Sequence, residues 1–160
     1  MVISEGSAAD THFLNVDLDI YSARDLQPLV TALGTTAIVL HVGRARRTYG
    51  AHLEVAKRTR NADATIREFC SLIKGLPRPE RQLWKTAKTR DFNIGIQAGL
   101  RPFCTEFALE AETVRATSDL DARILFSVYA PEKTRPTATT SRGVSSKASR
   151  ATRWSSRARR

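Results

Sequence analysis

The chain has 160 residues, of which 41% are hydrophobic and 26% are charged, and its formal net charge is +10. This composition excludes a fibrous or wholly disordered protein and indicates one ordinary globular domain, which at this size buries a core without disulfide staples. The two cysteines, Cys70 and Cys104, form no CxxC pair, which favours reduced thiols and a cytoplasmic location. No apolar stretch approaches the length of about 18 residues that a membrane span needs, so we expect no association with a membrane.

The positive charge is concentrated at one end of the chain. From Pro131 onward there are nine Lys or Arg residues against the single Glu132, whereas residues 1–130 hold 17 basic and 15 acidic residues. The terminal stretch is rich in Ser, Thr, Ala and Arg, and has too few apolar residues to bury a core of its own. We therefore predict a flexible N-terminus over residues 1–11, one folded domain over residues 12–130 and a disordered basic tail over residues 131–160.

The first element in chain order is a strand followed by a helix. The segment HFLNVDLDIY alternates with the period of a half-buried strand. This pattern predicts two faces, an apolar one with Leu14, Val16, Leu18 and Ile20 and a polar one with Asn15, Asp17 and Asp19. The segment DLQPLVTALG then has helical spacing, with Asp25 as a capping residue and Gly34 as a terminator.

Two strands, TTAIVLHV and RTYGAHLEV, follow as a hairpin that turns around residues 43–46. The apolar pattern of both strands fits a register in which Ile38 faces Ala51 and Leu40 faces Tyr49. In this register the Cα atoms of His41 and His52 are about 13 Å apart. These two histidines are therefore not expected to share one metal ion.

The rest of the domain alternates between helical and strand periods. Residues 61–90 predict two helices whose stripes bring Phe69, Cys70 and Trp84 into the core. The segments FNIGIQAG and FCTEFAL predict two further strands, and a short helix then leads to a last strand, ARILFSVY. The predicted fold class is therefore α+β, with an antiparallel or mixed sheet of about six strands, helices on one face, a roughly doubled ferredoxin-like pattern and a disordered basic C-terminal tail.

The segments VDLDIYSARDLQPLV, LWKTAKTRDFNIGIQAG and LDARILFSVY resemble a domain-of-unknown-function family of small, largely bacterial, stand-alone α+β proteins. The resemblance covers about residues 12–130. It implies a strand, helix and hairpin at the start, and a final helix and strand that end in an aromatic residue such as Tyr129. It brings no catalytic residues, and the basic tail departs from it.

The sequence contains none of the common catalytic or cofactor motifs. A phosphate-binding GxxxxGK[ST] or GxGxxG loop, a GxSxG nucleophile elbow and an HExxH metal site are all absent. We therefore expect no cofactor, no metal site and no catalysis.

The open polar face of the predicted sheet is the better candidate for a binding surface. Small residues at 37, 50, 95, 99 and 108 are predicted to leave room above this face for a ligand. The candidate binding residues on the face are Asp17, Asp19, His41, His52, Asn93, Gln97 and Tyr129.

These features favour a small cytoplasmic binding module that recognises a protein or a small ligand on the open face or its rim. A role as an immunity factor that neutralises a partner is consistent with such a module. The alternative is a nucleic-acid-associated protein whose tail contacts phosphate backbones without reading bases. The candidate residues for that contact are Arg142, Lys147, Arg150, Arg153, Trp154, Arg157, Arg159 and Arg160. A shifted or extended reading frame in a GC-rich coding sequence is a further explanation of the tail's composition.

Overall fold

The computed structural model describes residues 10–131; residues 1–9 and 132–160, with all the candidate nucleic-acid-binding residues of the tail, lie outside that range. The fold is α+β, as predicted, with a five-stranded mixed sheet and four α-helices. The strands are β1 (His12–Ser22), β2 (Ala37–Ala45), β3 (Thr48–Val55), β4 (Thr89–Gln97) and β5 (Arg123–Tyr129). The helices are α1 (Gln27–Leu33), α2 (Ala62–Lys74), α3 (Arg78–Thr86) and α4 (Ala111–Asp119).

The sheet has the strand order β2-β3-β1-β4-β5, with β1 in the centre. The first four strands pair antiparallel, and β5 joins β4 in parallel through the crossover helix α4. Strand β3 lies between β1 and β2, so β1, α1 and β2 form a β-α-β unit that is split by one strand. The expected sixth strand and the ferredoxin-like doubling are not confirmed.

The segment predicted as a strand at Phe103–Leu109 has no regular structure. A hairpin with the preceding strand is impossible because both edges of β4 are already occupied, by β1 and β5. Phe103 and Phe107 are exposed, and only Leu109 packs against the core. The apolar residues of this segment thus produced an alternating pattern without a partner strand.

The core lies between one face of the sheet and the helices. Leu18 and Phe92 from neighbouring strands are fully buried, and the ring of Phe69 on α2 stacks on Phe92 with centroids 5.8 Å apart. Trp84 on α3 is buried too, and its indole N–H donates to the backbone carbonyl of Leu120 at 2.9 Å. Cys70 is also buried, as predicted, and burial raises the pKa of its thiol.

The predicted apolar face of β1 is correct except at its first position. Val16, Leu18 and Ile20 are buried, but Leu14 is 44% exposed. The register between β1 and β4 shifts between Phe13 and Val16, which is a β-bulge. Because the bulge inserts one residue, Phe13 replaces Leu14 on the core side.

The hairpin β2–β3 exists, but its predicted register is wrong. The turn is only two residues long, Arg46 and Arg47, and Arg46 has a left-handed φ of 56°. A second bulge between Val39 and His41 shifts the pairing again, so that His41 lies directly opposite His52. The expected Cα separation of about 13 Å is therefore wrong. The two histidines are direct cross-strand neighbours, and the centroids of their imidazole rings are 5.7 Å apart.

Three of the helix ends follow capping signals in the sequence. The backbone N–H of Gln27 donates to the Asp25 carboxylate at 3.0 Å, and Gly34 ends α1 with a φ of 55°. Helix α2 begins at Asn61, whose side chain accepts from the backbone N–H of Ala64 at 2.8 Å. None of the helices within residues 10–131 is long and apolar enough to cross a membrane.

Arg90, at the start of β4, ties the ends of two helices to the sheet. Its Nη1 donates to the backbone carbonyls of Trp84 and Lys85 at 3.0 Å and of Ala87 at 3.3 Å. Its Nε donates to the carbonyl of Asp121, in the turn after α4, at 3.0 Å. One guanidinium thus binds backbone carbonyls at and just after the C-terminal ends of α3 and α4.

Replacing Arg90 by Met keeps the apolar stem and removes these hydrogen bonds. We expect Arg90→Met to lower the free energy of unfolding by about 2 kcal/mol, since carbonyls that a charged donor had satisfied lose it. Urea unfolding of the full chain followed by circular dichroism measures the change. The control is Lys88→Met at an exposed neighbouring position, with an expected change below about 0.5 kcal/mol. Equal effects of the two substitutions would contradict this role of Arg90.

Candidate functional site

The candidate site is the sheet face opposite the helices, which we call the open face. Its side chains alternate along each strand with the core residues, and no described element covers them. The carboxylates of this face, the histidines on β2 and β3 and the arginine on β5 are Asp17, Asp19, His41, His52, Glu54, Asp91 and Arg123. Carboxylates are therefore the predominant charged groups of the open face.

A row of three hydrogen-bonded side chains crosses β1 and β3. The Asp19 carboxylate accepts from Nδ1 of His52 at 2.6 Å. The other ring nitrogen of His52, Nε2, forms a hydrogen bond with the Tyr21 hydroxyl at 3.3 Å. The carboxylate and the phenol thus fix the orientation of the imidazole.

Next to this row, hydrogen bonds join the side chains of Asn15, Asp17 and Glu54 into a second cluster. Nδ2 of Asn15 donates to Asp17 at 2.9 Å and to Glu54 at 2.8 Å, so one amide bridges two carboxylates. Burial, and then the negative charges of Glu54 and Asp19, raise the pKa of Asp17 from 3.8 to about 6. We call Asp17, Asp19 and Glu54 the carboxylate patch. Within residues 10–131, none of the three forms an ion pair with Lys or Arg.

The neighbouring half of the open face, on β4 and β5, has its charges neutralised. Arg123 donates through Nε and Nη2 to both oxygens of Asp91, each at 2.8 Å. The Ser127 hydroxyl donates to the side-chain oxygen of Asn93 at 2.8 Å. The uncompensated negative charge of the face therefore lies on β1 and β3.

The sequence-predicted binding residues fall into two places on the sheet. Asp17, Asp19, His41 and His52 come together, and Asn93 is the cross-strand neighbour of Asp17. Gln97 and Tyr129 pair with each other at the far end of β4 and β5. There the side chain of Gln97 donates to the backbone carbonyls of residues 98 and 130 at 3.1 and 2.9 Å.

The small residues do not leave the predicted room above the sheet. The Tyr21 ring lies over Gly50, where an added Cβ would be 3.3 Å from the ring, and Asn15 lies over Gly95, where the distance would be 2.7 Å. Ala37 is buried, and residues 99 and 108 lie outside the sheet. The glycines instead permit close approach of the side chains that build the face.

Asn15, Tyr21 and Glu54 shape the patch but were not among the predicted binding residues. Alternation along β3 places Glu54 on the same face as His52, so the pattern HLEV contains the signal for it. The pairing of Glu54 with Asp17 needs the correct register of β1 and β3, which the sequence does not determine. Within residues 10–131, no group of three or more His, Cys, Asp or Glu side chains is arranged to hold a metal ion.

Comparison of the chain with protein-family models, with curated proteins and with solved structures finds no match. Membership of the domain-of-unknown-function family that the sequence resembles therefore stays a prediction.

The raised pKa of Asp17 predicts a dependence of stability on pH. Between pH values of about 4 and 6 the folded chain holds a proton at Asp17 that the unfolded chain releases, so the free energy of unfolding falls as pH rises. The substitution Asp17→Asn removes the titrating group and with it this fall in the free energy of unfolding. Because Asp17 is half-buried and solvent screens its charge, we expect a gain of about 1 kcal/mol at pH 7 and little change at pH 4.

Urea unfolding at pH 4, 5, 6 and 7 measures the effect of Asp17→Asn. The control Glu106→Gln removes a carboxylate from the exposed irregular segment and should leave the profile unchanged. A profile of Asp17→Asn parallel to that of the unmodified chain would show that Asp17 does not titrate in this range.

Gly95→Ala tests the packing of Asn15. The new Cβ would be 2.7 Å from the side-chain oxygen of Asn15, so Asn15 must rotate away from Asp17 and Glu54. We expect a further rise in the pKa of Asp17, measured by NMR of its carboxyl carbon, and a loss of stability of about 1 kcal/mol. Gly75→Ala is the control, because its Cβ would meet only ordinary contacts at 3.5 Å. An unchanged titration of Asp17 in Gly95→Ala would contradict the role of the Asn15 amide as a bridge between Asp17 and Glu54.

Proposed function

We propose that the chain is a non-catalytic binding module whose open face recognises a positively charged segment of a protein partner. The observation that carries this proposal is the carboxylate patch, in which Asp17, Asp19 and Glu54 lie together on an uncovered surface. Grouping like charges raises the free energy of the folded chain, and after burial the charges of Glu54 and Asp19 are the next causes of the raised pKa of Asp17. A cationic partner relieves that repulsion when it binds.

The preorganisation of the patch also supports binding. Asn15 and His52 hold the carboxylates through hydrogen bonds of 2.6 to 2.9 Å, and Tyr21 holds His52 at 3.3 Å, so little side-chain freedom remains to be lost on association. Exposed apolar side chains border the polar cluster on the same face, with Leu14 on one side and Ile38 on the other. A polar centre next to exposed apolar groups is compatible with a protein interface.

One feature favours binding over catalysis. Substrate sites are concave. The depression beside the hairpin, about 620 Å³ in volume, is lined by residues that include Tyr21, Arg46 and Arg47, and the residues of the carboxylate patch do not line it. The nucleic-acid alternative rests on tail residues outside the described range.

An oligo-arginine peptide is a defined probe for the proposed surface. We expect the peptide to bind the full chain with an affinity that falls with salt, and to shift the NMR signals of β1 and β3. The triple variant Asp17→Asn, Asp19→Asn, Glu54→Gln should bind about tenfold more weakly, by calorimetry, because the attracting charges are gone.

The matched control removes the same number of negative charges elsewhere on the chain. The variant Glu106→Gln, Glu112→Gln, Asp119→Asn changes three exposed residues in the segment before α4 and on α4 itself. We expect less than about a twofold change in affinity. If both triple variants lose affinity equally, binding follows net charge alone and the proposed surface is wrong.

A further inference from the structure

The two edges of the sheet, β2 and β5, differ in how they are protected against pairing with another chain. Proteins block exposed edges with bulges, charges or prolines. Edge β2 has a bulge after Val39, a glycine with φ of 147° at Gly43 and the exposed Arg44. Edge β5 has none of these in its interior, and its seven residues pair with β4 without a register shift.

Edge β5 also exposes large apolar side chains on both faces. Phe126 is 58% exposed, Val128 64% and Tyr129 53%. Helix α4 covers only the start of the strand, where Ile124 packs against the core, so Phe126 and Val128 face solvent on the helix side. Contiguous apolar exposure next to an unpaired backbone edge is typical of an interaction surface.

No charge on β5 opposes the approach of an identical strand. Its single ionised residue, Arg123, is neutralised by the bidentate ion pair with Asp91 on β4. The remaining six residues, from Ile124 to Tyr129, are uncharged at neutral pH. Two copies of this edge therefore meet without like-charge repulsion.

We propose that β5 pairs antiparallel with β5 of a second copy across a two-fold axis, which joins two five-stranded sheets into one continuous sheet. The register that pairs all seven residues and keeps each side chain on its own face puts Phe126 opposite Phe126 of the second copy. Ile124 then lies opposite Val128, Leu125 opposite Ser127 and Arg123 opposite Tyr129 of the second copy. The strand is thus complementary to itself in this register.

The available area fits a weak dimer. The exposed parts of Leu125, Phe126, Val128 and Tyr129 come to about 400 Å² per copy from typical side-chain areas. With the paired backbone, two copies remove about 1,000 Å² from water, which is near the lower limit for a specific interface. We therefore expect a dissociation constant on the order of 10 μM.

Sedimentation of the full chain over a concentration range of about 1 to 200 μM tests the dimer. We expect a reversible monomer–dimer equilibrium. Phe126→Asp places two carboxylates at the two-fold axis and should weaken association at least about tenfold. The control Leu40→Asp adds the same charge at a 54% exposed position on the opposite edge and should leave association unchanged. Circular dichroism of both variants checks that they fold.

Cross-linking tests the register independently of these charges. In a Cys104→Ser background, Phe126→Cys should form an intermolecular disulfide on oxidation, since directly opposite Cα atoms are about 5 Å apart. Leu125→Cys should not, because its two copies lie diagonally and about 8 Å apart.

Three results would each overturn the proposal. The first is a monomer over the whole concentration range, whether the edge is then free or covered by residues 132–160. The second is a dimer that Phe126→Asp does not weaken. The third is equal cross-linking at residues 125 and 126.

Discussion

The bulge in the central strand β1 determines which apolar residue continues the core beyond Val16. By inserting one residue, it lets Phe13 and Val16 point to the same side, so the apolar core continues to the end of the strand. On the other side of the strand Asn15 lies over Gly95, where its amide reaches Asp17 and Glu54. Without the bulge, β1 would alternate strictly, and Leu14 would take the place of Phe13 in the core.

The carboxylate patch has features that stability alone does not explain. A folded chain gains nothing from bringing Asp17 within reach of Glu54 and Asp19, because each raises the pKa of Asp17. Local costs of this kind concentrate at functional sites, whereas one strand away the charges of Asp91 and Arg123 neutralise each other. The contrast between the two halves of one surface is the strongest physical argument for a binding role on β1 and β3.

The sequence predicts those parts of the fold that depend on local period and caps. The α+β class, the core residues of β4 and the helices around Phe69 and Trp84 follow from alternation or helical spacing. The register of the hairpin does not follow, because a two-residue turn at Arg46 and a bulge beside Leu40 both shift it. Neither the turn nor the bulge changes the apolar pattern of the sequence, so neither can be recognised before the pairing of the two strands is known.

The candidate site was predictable only as a face and not as a cluster. Alternation places Asp17, Asp19 and His52 on the polar side, but their contacts depend on cross-strand neighbours. The error in the β2–β3 register separated His41 from His52, and the β1–β3 register that brings Glu54 to Asp17 was not predicted. Side-chain clusters on a sheet are long-range features, so a shift of one residue in pairing changes every neighbour.

The proposed dimer affects how the open face presents itself to a partner. Antiparallel pairing about an axis perpendicular to the sheet keeps both open faces on the same side. Each carboxylate patch is centred on β1, two strands from the edge β5, so the two copies of β1 lie five strand spacings apart, about 24 Å. A partner with two cationic segments at that spacing can contact both patches, and the second contact then forms within one complex. Dimerisation through β5 thereby raises the affinity for the partner at the carboxylate patch, and binding of the partner stabilises the dimer, without any additional contact.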